Sequence, residues 1–276
     1  MVGKITKILL IAFILCTLFL FNGCDVDWFG LVYSSDLDER LAERDNFRFV
    51  NTNSLMEITL TEPYSFIVLA DTHIESGNTQ GLENLNDIII SNNIKFAVVL
   101  GDITQYGSSQ DINAFIRVAE GMGIPCYPVI GNHDIYFGNW SVWRNRIGST
   151  RYRIDGENIT LFILDSANSF FGKQQMDWLE RELKDINERV FVFTHSPLFI
   201  SGPIGMQQIT DYRERSRMVS ILKGKCDIMF MGHAHNRLIT EVGGVKYINV
   251  EDFVSKKTYC IVTVDTNGVK YSFHKL

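Results

Sequence analysis

Short uncharged runs recur along the chain, and most of them end on a polar residue. Residues 65–70 close on Asp71, residues 96–100 on Gly101-Asp102, and residues 127–130 on Gly131-Asn132-His133-Asp134. Residues 160–164 follow. Residues 190–194 then lead to His195, and residues 228–231 to Gly232-His233-Ala234-His235. Apolar runs this short, bounded in this way, predict buried strands. Between them the apolar positions switch to helical spacing: Leu82, Leu85, Ile88 and Ile89; then Ile112, Phe115 and Ala119; then Met176, Leu179, Leu183 and Ile186. Tyr212, Met218, Val219 and Leu222 mark a further helix, stopped by Gly224. Ser108 to Asp111 reads as a capping box that opens the second helix. Hairpins turned at Gly243-Gly244 and Asn267-Gly268 close the chain. Strands alternating with helices predict one α/β domain over residues 46–276, with no internal boundary.

The N-terminus breaks this alternation. Lys4 and Lys7 precede residues 8–21, an uncharged stretch too short to cross a bilayer comfortably but suited to the apolar region of an export signal. The stretch ends at Phe21-Asn22-Gly23-Cys24, which resembles a bacterial lipoprotein processing site, although that pattern prefers Leu where Phe21 stands. The resemblance implies a signal peptide over residues 1–23, a lipidated Cys24, a tether over 24–45 and an extracytoplasmic, membrane-anchored protein. The formal charge is −6, and loss of Lys4 and Lys7 would bring it to −8. That balance argues against nucleic acid as the main partner, since such binders carry a basic footprint. An anionic substrate stays compatible, because bound cations reverse the local field. Cys126, Cys226 and Cys260 lie in or beside apolar runs without a C-x-x-C pair, as buried free thiols do.

Candidate chemistry concentrates where the strands end. Five of the six histidines fall in post-strand loops, with His274 the exception. Asp71, Asp102, Asn132, His195 and His233 each follow an apolar run, and strand ends in an α/β sheet converge on one edge, where ligand sites form. Carboxylates and neutral imidazoles suit divalent manganese, iron or zinc. A pair of such ions activates water and clamps a phosphoryl group. No cysteine enters these loops, which argues against a structural zinc knot.

Asp71-Thr72-His73, Gly101-Asp102, Gly131-Asn132-His133-Asp134, His195 and Gly232-His233-Ala234-His235 together resemble the calcineurin-like metallophosphoesterases, in that family's order, over roughly residues 65–249. Gln175 with Trp178-Leu179 looks like the family's intervening helix. The resemblance implies a sandwich of two mixed β-sheets flanked by helices, with the metal site at the strand ends. It assigns Asp71, His73 and His235 to one divalent ion, Asn132, His195 and His233 to a second, and Asp102 to a bridge between them. A metal-activated hydroxide would attack a phosphate mono- or diester, with His133 as the acid for the leaving group and Asp134 holding the His133 ring.

Two other readings stand beside this one, the first from a different class. A lipid-anchored binding protein with a non-catalytic metal site would be expected to have lost a ligand, yet every position is filled. A nuclease of the same superfamily is disfavoured by the acidic balance. Tyr136, Phe137, Trp140, Trp143, Arg144, Arg146, Arg151 and Arg153 form an aromatic and basic stretch. It reads either as packing or as a wall that stacks a base and contacts phosphate. The segment 199–214, after His195, reads as a connector or as a loop over the metals.

Overall fold

The computed structural model describes residues 35–43, 57–58, 60–201 and 207–276. The expected signal peptide, Cys24 and most of the expected tether lie outside the described residues, as do Gly202 and Gly205 of the segment after His195. The elements run α1 (Leu37–Ala42), β1 (Glu57–Ile58), β2 (Tyr64–Leu69), α2 (Leu85–Ser91), β3 (Ile94–Leu100), α3 (Ser109–Gly121) and β4 (Cys126–Val129). There follow α4 (Trp140–Arg146), β5 (Tyr152–Gly156), β6 (Ile159–Ile163), α5 (Lys173–Glu182), β7 (Arg189–Phe193), α6 (Tyr212–Leu222) and β8 (Ile228–Met231). The hairpin β9 (Leu238–Val242) and β10 (Val245–Asn249), then α7 (Phe253–Lys256), β11 (Thr258–Asp265) and β12 (Gly268–Lys275) complete the chain.

The strands form two mixed sheets. One has the order β12-β11-β2-β3-β4 and the other β1-β5-β6-β7-β8-β10-β9. Because side chains alternate across a strand, each apolar run feeds two layers at once. Phe66, Val68, Phe96 and Val98 face inward and meet Leu161, Phe191, Phe193 and Phe230 of the other sheet. The Phe66 and Phe96 rings stack at 4.5 Å, and Phe191 packs its edge against Phe66 at 5.2 Å. The intervening residues Ile67, Leu69, Ala97 and Val99 face outward onto α2, α3 and α4. Phe162, Val192, Met229 and Met231 do the same under α5 and α6. Beyond their first residues the central strands are therefore apolar at successive positions, which is why they read as continuous runs rather than as alternation.

Local signals hold at most element ends. Ser108 accepts the Asp111 amide at 3.2 Å and donates to the Asp111 carboxylate at 2.6 Å, and that carboxylate also takes the Gly77 amide at 2.8 Å. Gly243 and Gly244, with φ of 63° and 80°, turn β9 into β10, the left-handed pair that a two-residue hairpin requires. Three expectations need correction. The last hairpin turns at Thr266-Asn267, because Asp265 pairs with Gly268 and its carboxylate receives the Asn267 amide at 2.7 Å. Tyr212 is exposed at the first turn of α6 rather than part of its buried stripe. The third correction concerns the tether. Residues inside its expected span form α1, whose Leu37, Arg40 and Leu41 are buried against the domain. The sparse apolar content of residues 35–43 hid this docking, since one of its three buried side chains is an arginine.

Candidate metal centre

Seven side chains from five strand ends converge between the upper edges of the two sheets. Asp71 and His73 follow β2, Asp102 follows β3 and Asn132 follows β4. His195 follows β7, and His233 and His235 follow β8. Asp71, His73, Asp102, His233 and His235 adopt left-handed backbone, with φ between 43° and 65°. Non-glycine residues seldom hold this conformation, and clusters of it mark sites where side-chain direction outweighs local preference. The loops also close on one another through glycine. A Cβ on Gly101 would lie 2.6 Å from His195 Nδ1, and one on Gly131 would overlap the Asp102 backbone.

Each ring is held by a specific partner. His195 Nδ1 donates to the Leu100 carbonyl at 2.8 Å, which turns Nε2 toward Asn132 Oδ1 at 3.0 Å, His233 Nδ1 at 3.1 Å and Asp102 Oδ2 at 3.2 Å. His73 Nδ1 meets Gln105 Oε1 at 2.7 Å, leaving Nε2 3.9 Å from Asp102 Oδ2. His235 Nε2 lies 3.4 Å from Asp71 Oδ1. The Asn132 amide donates to Tyr136 Oη at 2.8 Å, so its Oδ1 is directed at the cluster. Two triads result, Asp71–His73–His235 and Asp102–His195–His233, each with its ligand atoms within 4.8 Å of one another.

The electrostatics ask for positive charge. Burial acts to raise both carboxylates, yet His235 holds Asp71 below the usual carboxylate value, and His195 and His133 hold Asp102 well below it. Burial acts to lower His195 and His235, yet Asp102 lifts the first to about 9 and Asp71 lifts the second to about 9. Burial together with the neighbouring His195 drives His233 down to about 4. Two buried carboxylates thus recruit protons onto the imidazoles beside them, where divalent cations would give the same compensation. His73 Nε2 is buried with no hydrogen-bond partner. An orphaned imidazole nitrogen beside a carboxylate fits a cation ligand and little else. The residues fit a pair of divalent ions.

His133 stands at the edge of this cluster, its Nε2 3.9 Å from Asp102 Oδ2. Its Nδ1 bonds the Gln105 carbonyl at 2.9 Å. The expectation that Asp134 holds this ring is therefore corrected. The Asp134 carboxylate instead accepts the Gly131 and Thr104 amides at 2.9 Å, the Thr104 hydroxyl at 3.0 Å and the Ile103 amide at 3.3 Å. It ties the β3 and β4 loops together, and the backbone of Gln105 takes the ring. Burial and the charge of Asp102 push Asp134 up to about 6. Gln105 and Tyr136 are the site residues that sequence reasoning missed as orienting groups. Gln105 has no motif of its own, and only its place three residues after Asp102 could have suggested it.

The sequence profile of the calcineurin-like phosphoesterases matches residues 64–237, more than half of the chain and all seven converging side chains. The chain belongs to the calcineurin-like phosphoesterase family. It is similar to a probable cyclic nucleotide phosphodiesterase of Fibrobacter succinogenes, with 23% identity over 175 residues. That match covers 60% of this chain and 63% of the relative, so the chain spans somewhat under two thirds of it. The 3′,5′-cyclic adenosine monophosphate phosphodiesterase of Escherichia coli K12 is 24% identical over 242 residues, covering 76% of this chain and 86% of the relative. Among solved structures, a dimetal phosphatase from Danio rerio aligns with a TM-score of 0.63 at 15% identity, covering 77% of this chain and 99% of that one. This shared architecture places the family's fold around the site.

The aromatic stretch divides. Trp140 and Trp143 are buried in the layer outside the five-stranded sheet, the packing role. Arg153 pairs with Asp155 and Glu182, and Arg144 with Glu43. A cleft of about 730 Å³ opens elsewhere, at the opposite ends of β7 and β8, among residues such as Lys184, Arg189 and Asp227. Its Arg189 and Asp227 pair with each other at 2.8 Å, and none of the converging side chains lines it.

Proposed function

We propose that this protein is a metal-dependent phosphoesterase that hydrolyses phosphodiesters at a dinuclear centre. The observation that carries the reading is the convergence of two Asp/His triads around a buried, unpartnered His73 Nε2. Asp71, His73 and His235 would hold one divalent ion, Asn132, His195 and His233 the other, and Asp102 would touch both. Manganese, iron and zinc all suit this donor set. Such a pair, when bound, supplies Lewis-acid polarisation of a phosphoryl group and lowers the pKa of water. The chain's own part is orientation and proton delivery. His133 donates Nδ1–H to a carbonyl, which can only accept, so proton exchange at this ring is confined to Nε2 on the cluster side. A proton held there would face the leaving oxygen of an ester bound on the cluster side, the position of a general acid. Half-exposed His235 leaves its side of the cluster open to solvent and so to a substrate. Diesters are favoured over monoesters because the curated relatives named above are phosphodiesterases.

The protein is further proposed to act outside the cytoplasm, anchored through Cys24, on the strength of its leader. Among the described residues no helix is long and apolar enough to cross a membrane.

The deciding experiment is metal analysis followed by parallel assays with manganese on a phosphodiester, a phosphomonoester, nucleotides and DNA. Two ions per chain and preferential diester turnover are expected. Absence of bound metal after reconstitution would sink the proposal, and metal without turnover would favour a binding protein. Cys24→Ser should abolish lipid labelling in cells, and an unchanged label would remove the anchor.

A further inference from the structure

The one fully buried arginine among the described residues takes no part in the chemistry above, yet it connects to it. Arg40 of α1 uses every donor it has. Nε and Nη2 grip the two Asp165 oxygens at 2.7 and 2.9 Å, Nη2 also reaches Asn168 Oδ1 at 2.6 Å, and Nη1 binds the carbonyl and hydroxyl of Ser35 at 2.7 and 3.0 Å. Both charged groups are entirely shielded from solvent. A buried ion pair is weak support for stability in itself, because removing its two charges from water offsets their attraction. What a planar five-donor fork supplies is geometry.

The geometry belongs to the turn that follows β6. Asp165 Oδ1 also receives the Ala167 amide at 3.1 Å, and Gln175 brackets the Asp165 backbone, its Oε1 accepting the Asp165 amide at 2.9 Å and its Nε2 donating to the Asp165 carbonyl at 2.7 Å. Ser166, next in sequence, faces the loop after β7. Its hydroxyl accepts Thr194 Oγ1 at 2.7 Å and the Ser196 amide at 2.8 Å, and its carbonyl accepts Ser196 Oγ at 2.8 Å. Thr194 and Ser196 are the two neighbours of His195. The His195 carbonyl in turn accepts the Gly232 amide at 2.9 Å, one residue before His233. Every group on this path is buried or nearly so.

We propose that α1 is a clasp for the metal centre. Arg40 is a positioning residue that fixes the turn at 165–168, so that Ser166 sets the His195 loop and with it the Asp102–His195–His233 site. The inference rests on the dinuclear reading, and it predicts asymmetry. Loss of the clasp loosens chiefly the ion held by His195, whose flanking residues Ser166 holds directly, and affects far less the one held by Asp71, His73 and His235, of which only His235 shares a loop with the last contact of the path.

The test is manganese titration by calorimetry on the full chain, with cobalt absorption spectra as a second readout of ligand geometry. Arg40→Ala and Ser166→Ala should each weaken one of two manganese sites by roughly 10- to 100-fold, the range for residues that orient a ligand from behind. Combined, they should be little worse than either alone, as expected for steps on one path. Because Arg40→Ala strands a buried carboxylate and risks unfolding, Arg40→Met with Asp165→Asn removes both charges together and should show the same asymmetric loss. Wild-type affinity at both sites in folded variants would overturn the clasp, as would equal weakening of both sites in step with a lowered melting temperature. A wild-type chain that binds no manganese would remove the dinuclear reading and this inference together, so the two failures are distinguishable.

Discussion

Asp134 shows how a residue keeps its place in a motif while doing something the motif does not state. Its carboxylate accepts four donors from the β3 and β4 loops, and none of them is the His133 ring. Asp134→Asn would set an amide donor against donors already there. Leaving one of them unmatched should lower stability by about 1–3 kcal/mol, read as a drop in the urea midpoint. The pH–rate profile should keep its shape, because the Gln105 carbonyl and not Asp134 orients His133. A displaced profile with an unchanged midpoint would return Asp134 to the role expected from sequence. The same scale explains the strained loops. Five of the seven converging residues sit at positive φ because a strand end offers only one direction without strain, and the cluster lies to its side.

At the scale of elements, α4 decides between packing and substrate contact. Trp143 is fully buried in the layer over the five-stranded sheet, with Trp140 beside it. Trp143→Ala should therefore cost about 3–5 kcal/mol of stability, with KM for small esters unchanged in the surviving folded protein. A raised KM without loss of stability would point back to a substrate wall. The α1 helix makes the complementary case. It has only six residues, too few to persist alone. Leu37, Leu41 and the Arg40–Asp165 pair hold it to the domain.

For the whole molecule, the thiols report on both layers of the sandwich: Cys260 lies in the core between the sheets, and Cys126 lies between the five-stranded sheet and its helices. Cys126 and Cys260 are buried, and burial pushes each from 9.0 up to about 12. The folded state thus favours the neutral thiol. Its advantage is complete below pH 9, declines as the pH rises through that value and is gone beyond about pH 12. Native protein should resist thiolate-directed reagents at pH 8 and label only on unfolding, which mass spectrometry would read directly. Rapid labelling of Cys126 in the native state would show that the helical layer over the five-stranded sheet opens.

Much of this molecule was legible in one dimension. Apolar runs set the strands, because a strand covered on both faces is apolar along its covered length, and the polar residues ending those runs named the cluster, because chain order carries strand ends to one edge. Pairings that cross large sequence distances were not legible. Arg40 meets Asp165 across 125 residues, and Gln105 serves two rings from different loops. Neither leaves a local pattern, since a hydrogen bond needs proximity in space and imposes no periodicity on the chain. The sequence by itself determined which residues could hold metal. Only the tertiary structure decided how they are aimed, through backbone carbonyls, a buried guanidinium and loops closed over glycine, whose directions exist only once the two sheets have packed.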